Sequence, residues 1–244
     1  MTIDKKPLIW IEMLMLTSII LFYSITTYER NYVWKDEMSL WSDVVKKSPQ
    51  KSRPHNLLGV AYTFDGQIDK AITEIKKALS IEPHPVRYAD LGNAYLEKDL
   101  LDFAMVQYYK ALSLNPDFHD VYVNIGNIYV RKGLLDKAIA EYQKTMRLNP
   151  SSLEAYINIA SSYGLKEHYD KALYYLRKAL ELDPHNPDVH YNLGVTYSSL
   201  GLFEDALAEY EKVLKVKPDD KDALKNLMII KSKIIKQGGI NHLK

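Results

Sequence analysis

The chain has 244 residues, with 32 lysines and arginines against 31 aspartates and glutamates, and a formal net charge of +1. This balance argues against a nucleic-acid-binding protein, which normally presents a basic face to the phosphates. The chain has no cysteine, so disulfides, thiolate catalysis and cysteine-based zinc sites are excluded.

The first predicted element is an apolar helix that follows a short tail, residues 1–7. Residues 8–27, LIWIEMLMLTSIILFYSITT, carry their only charge at Glu12. At about 1.5 Å per residue such a helix is roughly 30 Å long, which matches a bilayer core. We therefore expect one transmembrane helix and contact with a lipid bilayer. A cleaved signal peptide is the alternative, but no site of small residues follows the run.

Charges on the two flanks of this run bear on orientation. Lys5 and Lys6 precede it and favour a cytoplasmic N-terminus, which would place the rest of the chain outside the cytoplasm. Arg30 and Lys35 on the far flank oppose that orientation. The sequence predicts a single-pass membrane protein with an extracytoplasmic domain.

Internal repetition dominates the remainder of the chain. Prolines recur at steps of 33 or 34 residues, and tyrosine, alanine and glycine columns keep the same register. The proline column is Pro49, Pro83, Pro116, Pro150, Pro184 and Pro218. Within a unit, apolar residues at helical spacing predict two helices, and the recurrent proline ends the second. Such units are stable only when they stack, so we expect a helical solenoid.

Small residues mark two further positions in each unit. The break between the two helices falls at Gly66, Asp99, Gly133, Glu167 and Gly201. Glycines in the first helices should let two helix backbones approach closely; these are Gly59, Gly92, Gly126 and Gly194. The fourth unit departs from the pattern, since Ala160 stands in the glycine column and Leu176 replaces the aromatic residue of the second helix.

The repeat resembles the tetratricopeptide repeat family. The stretches YADLGNAYLEKDLLDFAMVQYYKALSLNP (88–116) and HYNLGVTYSSLGLFEDALAEYEKVLKVKP (190–218) carry its aromatic, Leu-Gly, Tyr, Ala, aromatic and Pro pattern. The resemblance implies an all-α, right-handed superhelical solenoid. Its repeats would occupy 51–84, 85–117, 118–151, 152–185 and 186–219, followed by a capping helix and tail, 220–244.

The segment between the apolar helix and the first full repeat, residues 28–50, reads as a degenerate repeat. Counting back 34 residues from Pro83 reaches Pro49, so its first helix would merge with the membrane span. Residues 27–60 also resemble the C-terminal part of polytopic O-mannosyltransferase-like membrane proteins. The polytopic catalytic part of that family has no counterpart in this chain, so the resemblance implies no transferase activity.

Catalytic and metal-binding patterns are not found. The seven histidines show no metal-ligand spacing, and no nucleophile elbow, P-loop or dinucleotide fingerprint is present. The sequence therefore predicts a binding protein, not an enzyme, with no cofactor.

Polar residues recur on the face of the first helices that lines the groove in tetratricopeptide repeats. Asp90, Asn124, Asn158, Asn192 and Asn226 follow one another at a step of 34, and Asn93 and Asn127 lie three residues further on, on the same face. A carboxamide can both donate to and accept from a peptide unit, so these seven residues predict a strip that holds an extended polypeptide. The strip resembles the asparagine ladder of the protein O-linked N-acetylglucosamine transferase repeats. The alternative is that each amide serves only its own repeat or solvent.

The sequence thus predicts a membrane-anchored scaffold or assembly factor for protein–protein interaction. Two alternatives stay open. The chain could present acceptors to a membrane glycosyltransferase as a subunit or truncated relative. It could instead be a structural subunit of a larger membrane complex, in which Glu12 would need a partner inside the bilayer.

Overall fold

The computed structural model describes residues 6–241, and it describes side chains for 13–28 and 34–236. Every regular element in this part of the chain is an α-helix. The helices are α1 (Lys6–Val33), α2 (Glu37–Lys47), α3 (Ser52–Phe64), α4 (Ile68–Ile81), α5 (Pro85–Glu97), α6 (Leu101–Leu114), α7 (His119–Arg131), α8 (Leu135–Leu148), α9 (Leu153–Leu165), α10 (Tyr169–Leu182), α11 (Pro187–Ser199), α12 (Phe203–Val216) and α13 (Lys221–Asn241). The prediction of an all-α helical repeat fold is confirmed.

Helices α3 to α12 form five antiparallel pairs, one within each predicted repeat. The residue that joins the two helices of a pair is always left-handed. These residues are Gly66, Asp99, Gly133, Glu167 and Gly201, with φ between 58° and 77°. Glycine adopts this conformation without the Cβ clash that other residues meet, which explains why it fills three of the five positions.

The chain divides into two compact units, Met1–Leu114 and Asn115–Lys244. In the first unit Leu58, Ile75, Leu91 and Tyr108 are buried between the helices. The second unit repeats one core along its length, with Tyr142 and Ile159 at one end and Tyr210, Val213 and Ile230 at the other. Helix α13 covers the last pair through Ala223, Leu227 and Ile230, as a cap must.

Glycines of the first helices face side chains, not the backbone of the second helix as the sequence analysis expected. A Cβ at Gly92 or Gly126 would lie 2.5 or 2.4 Å from Cε1 of Tyr108 or Tyr142. Gly194 faces Tyr210 in the same way, at 2.7 Å. The missing Cβ therefore makes room for a buried tyrosine ring, which fills the space between the two helices of the pair.

The predicted membrane span over residues 8–27 is not supported. Within the residues that the structure describes, no helix is both long and apolar enough to cross a membrane. Helix α1 forms, but the apolar part of it with described side chains, 13–27, is only about 22 Å long, against roughly 30 Å for a hydrocarbon core. Lys5 lies outside the described residues, and the side chains of Lys6, Glu12 and Arg30 lie outside those described.

The junction between α1 and the first full repeat is built by α2. Asp36 caps α2 in a reciprocal pair of hydrogen bonds with Ser39, and the Trp34 indole donates to Asp43 at 3.0 Å. Leu40 and Trp41 are half-buried, and α2 packs against α3.

Candidate functional site

The second unit places a row of asparagines along its first helices. Each of them is half-buried, so part of every amide is accessible to solvent. We call Asn124 and Asn127 of α7, Asn158 of α9, Asn192 of α11 and Asn226 of α13 the amide strip. Neighbouring first helices pack against one another or against a shared second helix, so the strip runs from repeat to repeat within this unit.

The amide of Asn127 is the best-connected member of the strip. The Tyr142 hydroxyl donates to its Oδ1 at 2.6 Å, and the amide nitrogen of Asn158 lies 3.5 Å from the same oxygen. Burial raises the pKa of the Tyr142 hydroxyl, so this group remains a donor at neutral pH. The bond fixes Asn127 in place, whereas the long contact uses only one of the two amide N–H groups of Asn158.

The next two rungs of the strip also bridge neighbouring helices. The Ser161 hydroxyl donates to Oδ1 of Asn192 at 2.9 Å, and the Asn192 amide donates to the Asp188 carbonyl at 2.8 Å. The Asn226 amide donates to the Tyr191 hydroxyl at 3.1 Å. Part of the bonding capacity of the strip therefore serves the stacking of the repeats, which the sequence analysis had weighed as its alternative.

The first unit contains the two remaining predicted groove residues. Asn93 is exposed and accepts from the Tyr108 hydroxyl at 2.7 Å. Asp90 is half-buried and accepts from the amide of Asn56 at 2.7 Å. Burial raises the pKa of Asp90, against the Asn56 bond and the nearby Arg87, which lower it.

Asn56 is a polar residue that the sequence analysis missed. It is 7% exposed, and its Oδ1 is a buried atom without a hydrogen-bond partner. The step between the first two repeats is one residue shorter than the others, so Leu57 stands at the position equivalent to Asp90. A search at a fixed step therefore passes over Asn56.

Two cavities open beside the amide strip, each between two first helices and above the second helix that follows the earlier one. The smaller has a volume of about 210 Å³, lies between α7 and α9, and is bordered by Asn127, Arg131, Tyr142 and Asn158. The larger has a volume of about 450 Å³ and lies between α9 and α11, with Leu176 of α10, Tyr191 and Asn192 in its lining. The larger volume falls within the range usual for small-ligand pockets.

Two histidines that showed no ligand spacing have a structural role. His190 is 5% exposed; Nδ1 lies 2.6 Å from Glu209 and Nε2 lies 3.0 Å from the Pro184 carbonyl. His55 makes the same pair of contacts in the first unit. Each histidine thus ties a first helix to its second helix and to the preceding proline turn. Within the described residues, no three potential metal ligands cluster.

Four family models match the chain. Models described as Tetratricopeptide repeat match residues 52–85, 117–185 and 166–228, and one described as TPR repeat matches residues 92–133. The matches begin at residue 52, so the resemblance of residues 27–60 to O-mannosyltransferase-like proteins stays a prediction.

Solved structures and one curated protein resemble parts of the chain. The crystal structure of MamA is 30% identical with a TM-score of 0.55, covering 60% of this chain and 86% of that one. The protein TTC0263 of Thermus thermophilus is 26% identical with a TM-score of 0.61, covering 73% and 98%. The BBSome complex member BBS4 of Bos taurus is 40% identical over 63 residues, which are 26% of this chain. The match spans only 12% of the length of that relative.

Proposed function

Because the chain belongs to the tetratricopeptide repeat family, we propose that it is a protein–protein interaction scaffold whose second unit holds an extended polypeptide segment on the amide strip. The observation that carries the proposal is the recurrence of half-buried amides on successive first helices, Asn124, Asn158, Asn192 and Asn226. A protein that used these positions only for stacking would gain nothing from leaving each amide accessible.

The spacing of the strip suits a polypeptide backbone. Packed helices lie about 8–10 Å apart, and an extended chain covers that distance in roughly three residues at about 3.3 Å each. One amide side chain can pair with the N–H and the C=O of a single peptide unit. Contacts of this kind hold the backbone, so we expect broad tolerance of the side chains in the bound segment.

Anchoring the strip from behind favours the same use. The Tyr142 hydroxyl holds Asn127, and the Ser161 hydroxyl holds Asn192. A side chain fixed before binding loses less conformational entropy when the ligand arrives. The curated relative is named as a member of a complex, which agrees with an interaction role for a repeat of this sequence.

A peptide selection tests the proposal. The full chain is immobilised and challenged with a displayed library of random peptides, and the same library is passed over a variant with Asn124, Asn158 and Asn192 changed to alanine. Both proteins keep α1, whose exposed apolar side chains such as Leu14 and Phe22 will capture peptides nonspecifically, so subtraction removes that set.

We expect peptides that bind the wild type at least about tenfold more tightly than the triple variant, which corresponds to about 1.4 kcal/mol. Arg177→Ala and Glu211→Ala, at exposed positions of second helices, are the matched controls and should leave binding unchanged. Circular dichroism confirms that each variant is folded. Peptides that bind the triple variant as well as the wild type would refute the proposal.

A further inference from the structure

The two cavities beside the amide strip are one site repeated. Every residue that lines the smaller cavity has its counterpart, 34 residues later, in the lining of the larger one. The volume nevertheless rises from about 210 Å³ to about 450 Å³ between these equivalent places. The difference must therefore come from the side chains that change between the two repeats.

Three substitutions account for the larger space. Leu176 stands where the earlier repeat has Tyr142, Gly164 where it has Val130, and Leu165 where it has Arg131. The first removes a ring from the floor, the second removes a side chain from the wall, and the third removes a charge from the rim. We call the resulting space the fourth-repeat cavity.

The fourth repeat has also changed its core to keep its helices together. Ala160 and Leu176 are each 1% exposed, so the small–large pair of glycine and tyrosine has become a pair of intermediate size. The Cβ of Ala160 excludes a ring packed as Tyr142 is, because a Cβ at Gly126 would lie 2.4 Å from that ring. The ring has thus been replaced on the core side while space has opened on the groove side.

The lining of the fourth-repeat cavity selects the chemistry of its occupant. Leu165, Leu176 and Val195 are apolar, and Tyr191 adds an aromatic ring. The lining contains no charged residue. Aromatic rings pack well against other rings edge to face, and they bring a large apolar area with few rotatable bonds.

We propose that the fourth-repeat cavity binds one aromatic side chain of the polypeptide that lies along the amide strip. The inference rests on the proposed function, and it adds a specificity element to a strip that otherwise reads only backbone. A ring from the partner replaces, from the groove side, the ring that Tyr142 supplies in the preceding repeat. Ser161 and Asn192 at the rim offer a hydrogen bond to the hydroxyl when that ring is tyrosine.

A paired substitution tests the cavity. Ala160→Gly with Leu176→Tyr restores the pair seen at Gly126 and Tyr142, so it fills the floor without an overpacked core. Gly164→Val fills the wall at a position where the structure places no atom within 4 Å of the added Cβ, and serves as a second variant that leaves the core unchanged.

The probes for the first measurement are N-acetylphenylalaninamide and N-acetyltyrosinamide, with N-acetylserinamide as the control. Backbone amide resonances of Ser161, Gly164 and Thr196 report binding by NMR titration. We expect both aromatic probes to shift these resonances in the wild type and to shift them little in either filled variant. Equal shifts from the serine probe, or shifts that persist in both variants, would overturn the inference.

The second measurement separates this inference from the proposed function. In a peptide selected on the wild type, changing its aromatic residue to alanine should weaken binding about tenfold on the wild type and less than about twofold on the filled variants. Selected peptides that depend on the asparagines but not on an aromatic residue would overturn the cavity and leave the scaffold. A selection without asparagine-dependent peptides overturns the scaffold, and the probe titration then decides the cavity on its own.

Discussion

Gly126 and Tyr142 form a matched pair in which the absence of one atom makes room for a buried ring. A Cβ at Gly126 would lie 2.4 Å from Cε1 of Tyr142, and the ring is 1% exposed. The ring in turn holds Asn127 through its hydroxyl, at 2.6 Å. Core packing and the amide strip are therefore coupled through one side chain.

Gly126→Ala tests this pairing. The added methyl group must displace a buried ring, so we expect the free energy of unfolding to fall by about 1–3 kcal/mol, as for other overpacked cores. Tyr142→Leu in the same chain should recover much of that loss, because the two changes together recreate the Ala160 and Leu176 pair. Urea denaturation of both single variants and the double variant measures the coupling. Additive losses would contradict the pairing.

Glu167→Gly should stabilise the protein. Glu167 has a φ of 60°, in the left-handed region that costs a residue with a Cβ about 1 kcal/mol. Glycine removes that strain at the turn, although it adds some entropy to the unfolded chain. We expect the urea midpoint to rise slightly, and the reverse change Gly133→Glu, at a φ of 71°, to lower it by about 1 kcal/mol. A fall for Glu167→Gly would show that its side chain has a stabilising role.

Asp90→Asn should stabilise the protein at neutral pH and have little effect in acid. Burial raises the pKa of Asp90 above its ordinary value near 3.8, so the folded state holds the proton more tightly than the unfolded chain does. The favourable contribution of this group is present below that ordinary value and is lost as the pH rises through the folded pKa. An asparagine keeps an acceptor for Asn56 without the cost of a buried charge.

Thermal unfolding of wild type and Asp90→Asn across pH gives the readout. The variant should melt a few degrees higher at pH 7, and the difference should shrink towards zero as the pH falls below about 3.8. Asp120→Asn, at an exposed position of α7, is the matched control. A variant that is less stable at pH 7 would contradict the assignment.

His190→Ala should be among the more destabilising changes in the second unit. The ring is buried and its two nitrogens meet Glu209 and the Pro184 carbonyl, so its removal leaves a cavity and two acceptors that lose a donor. We expect a loss of about 3 kcal/mol in the free energy of unfolding. His185→Ala, at an exposed position, should change stability by less than about 0.5 kcal/mol. Equal effects of the two changes would contradict the role of His190.

Periodicity made much of the fold predictable. The left-handed turns fall at the five positions where the sequence shows Gly66, Asp99, Gly133, Glu167 and Gly201, because a short turn between antiparallel helices requires that geometry. The purpose of the first-helix glycines was mistaken, since a repeat pattern shows that a side chain is missing but not which neighbour uses the space. The fourth-repeat cavity was likewise invisible in the sequence, where Leu176 is only a departure from the pattern.

The site was predictable in position but not in bonding. The step of 34 residues identified Asn124, Asn158 and Asn192 as members of one face. The sequence could not show that Ser161 holds Asn192, since that bond joins two helices whose distance depends on packing. Asn56 escaped because a one-residue change in repeat length moves it out of the column.

The most direct test of the scaffold measures the affinity of a selected peptide for the wild-type chain after single backbone N-methylation at each position in turn. A strip of amides that holds backbone predicts losses of about tenfold at positions that recur roughly every three residues, and small losses between them. Side-chain changes at the same positions should matter less, except at the aromatic anchor. A flat response to N-methylation would contradict the account, because a ligand held by these asparagines must present its own N–H groups to them.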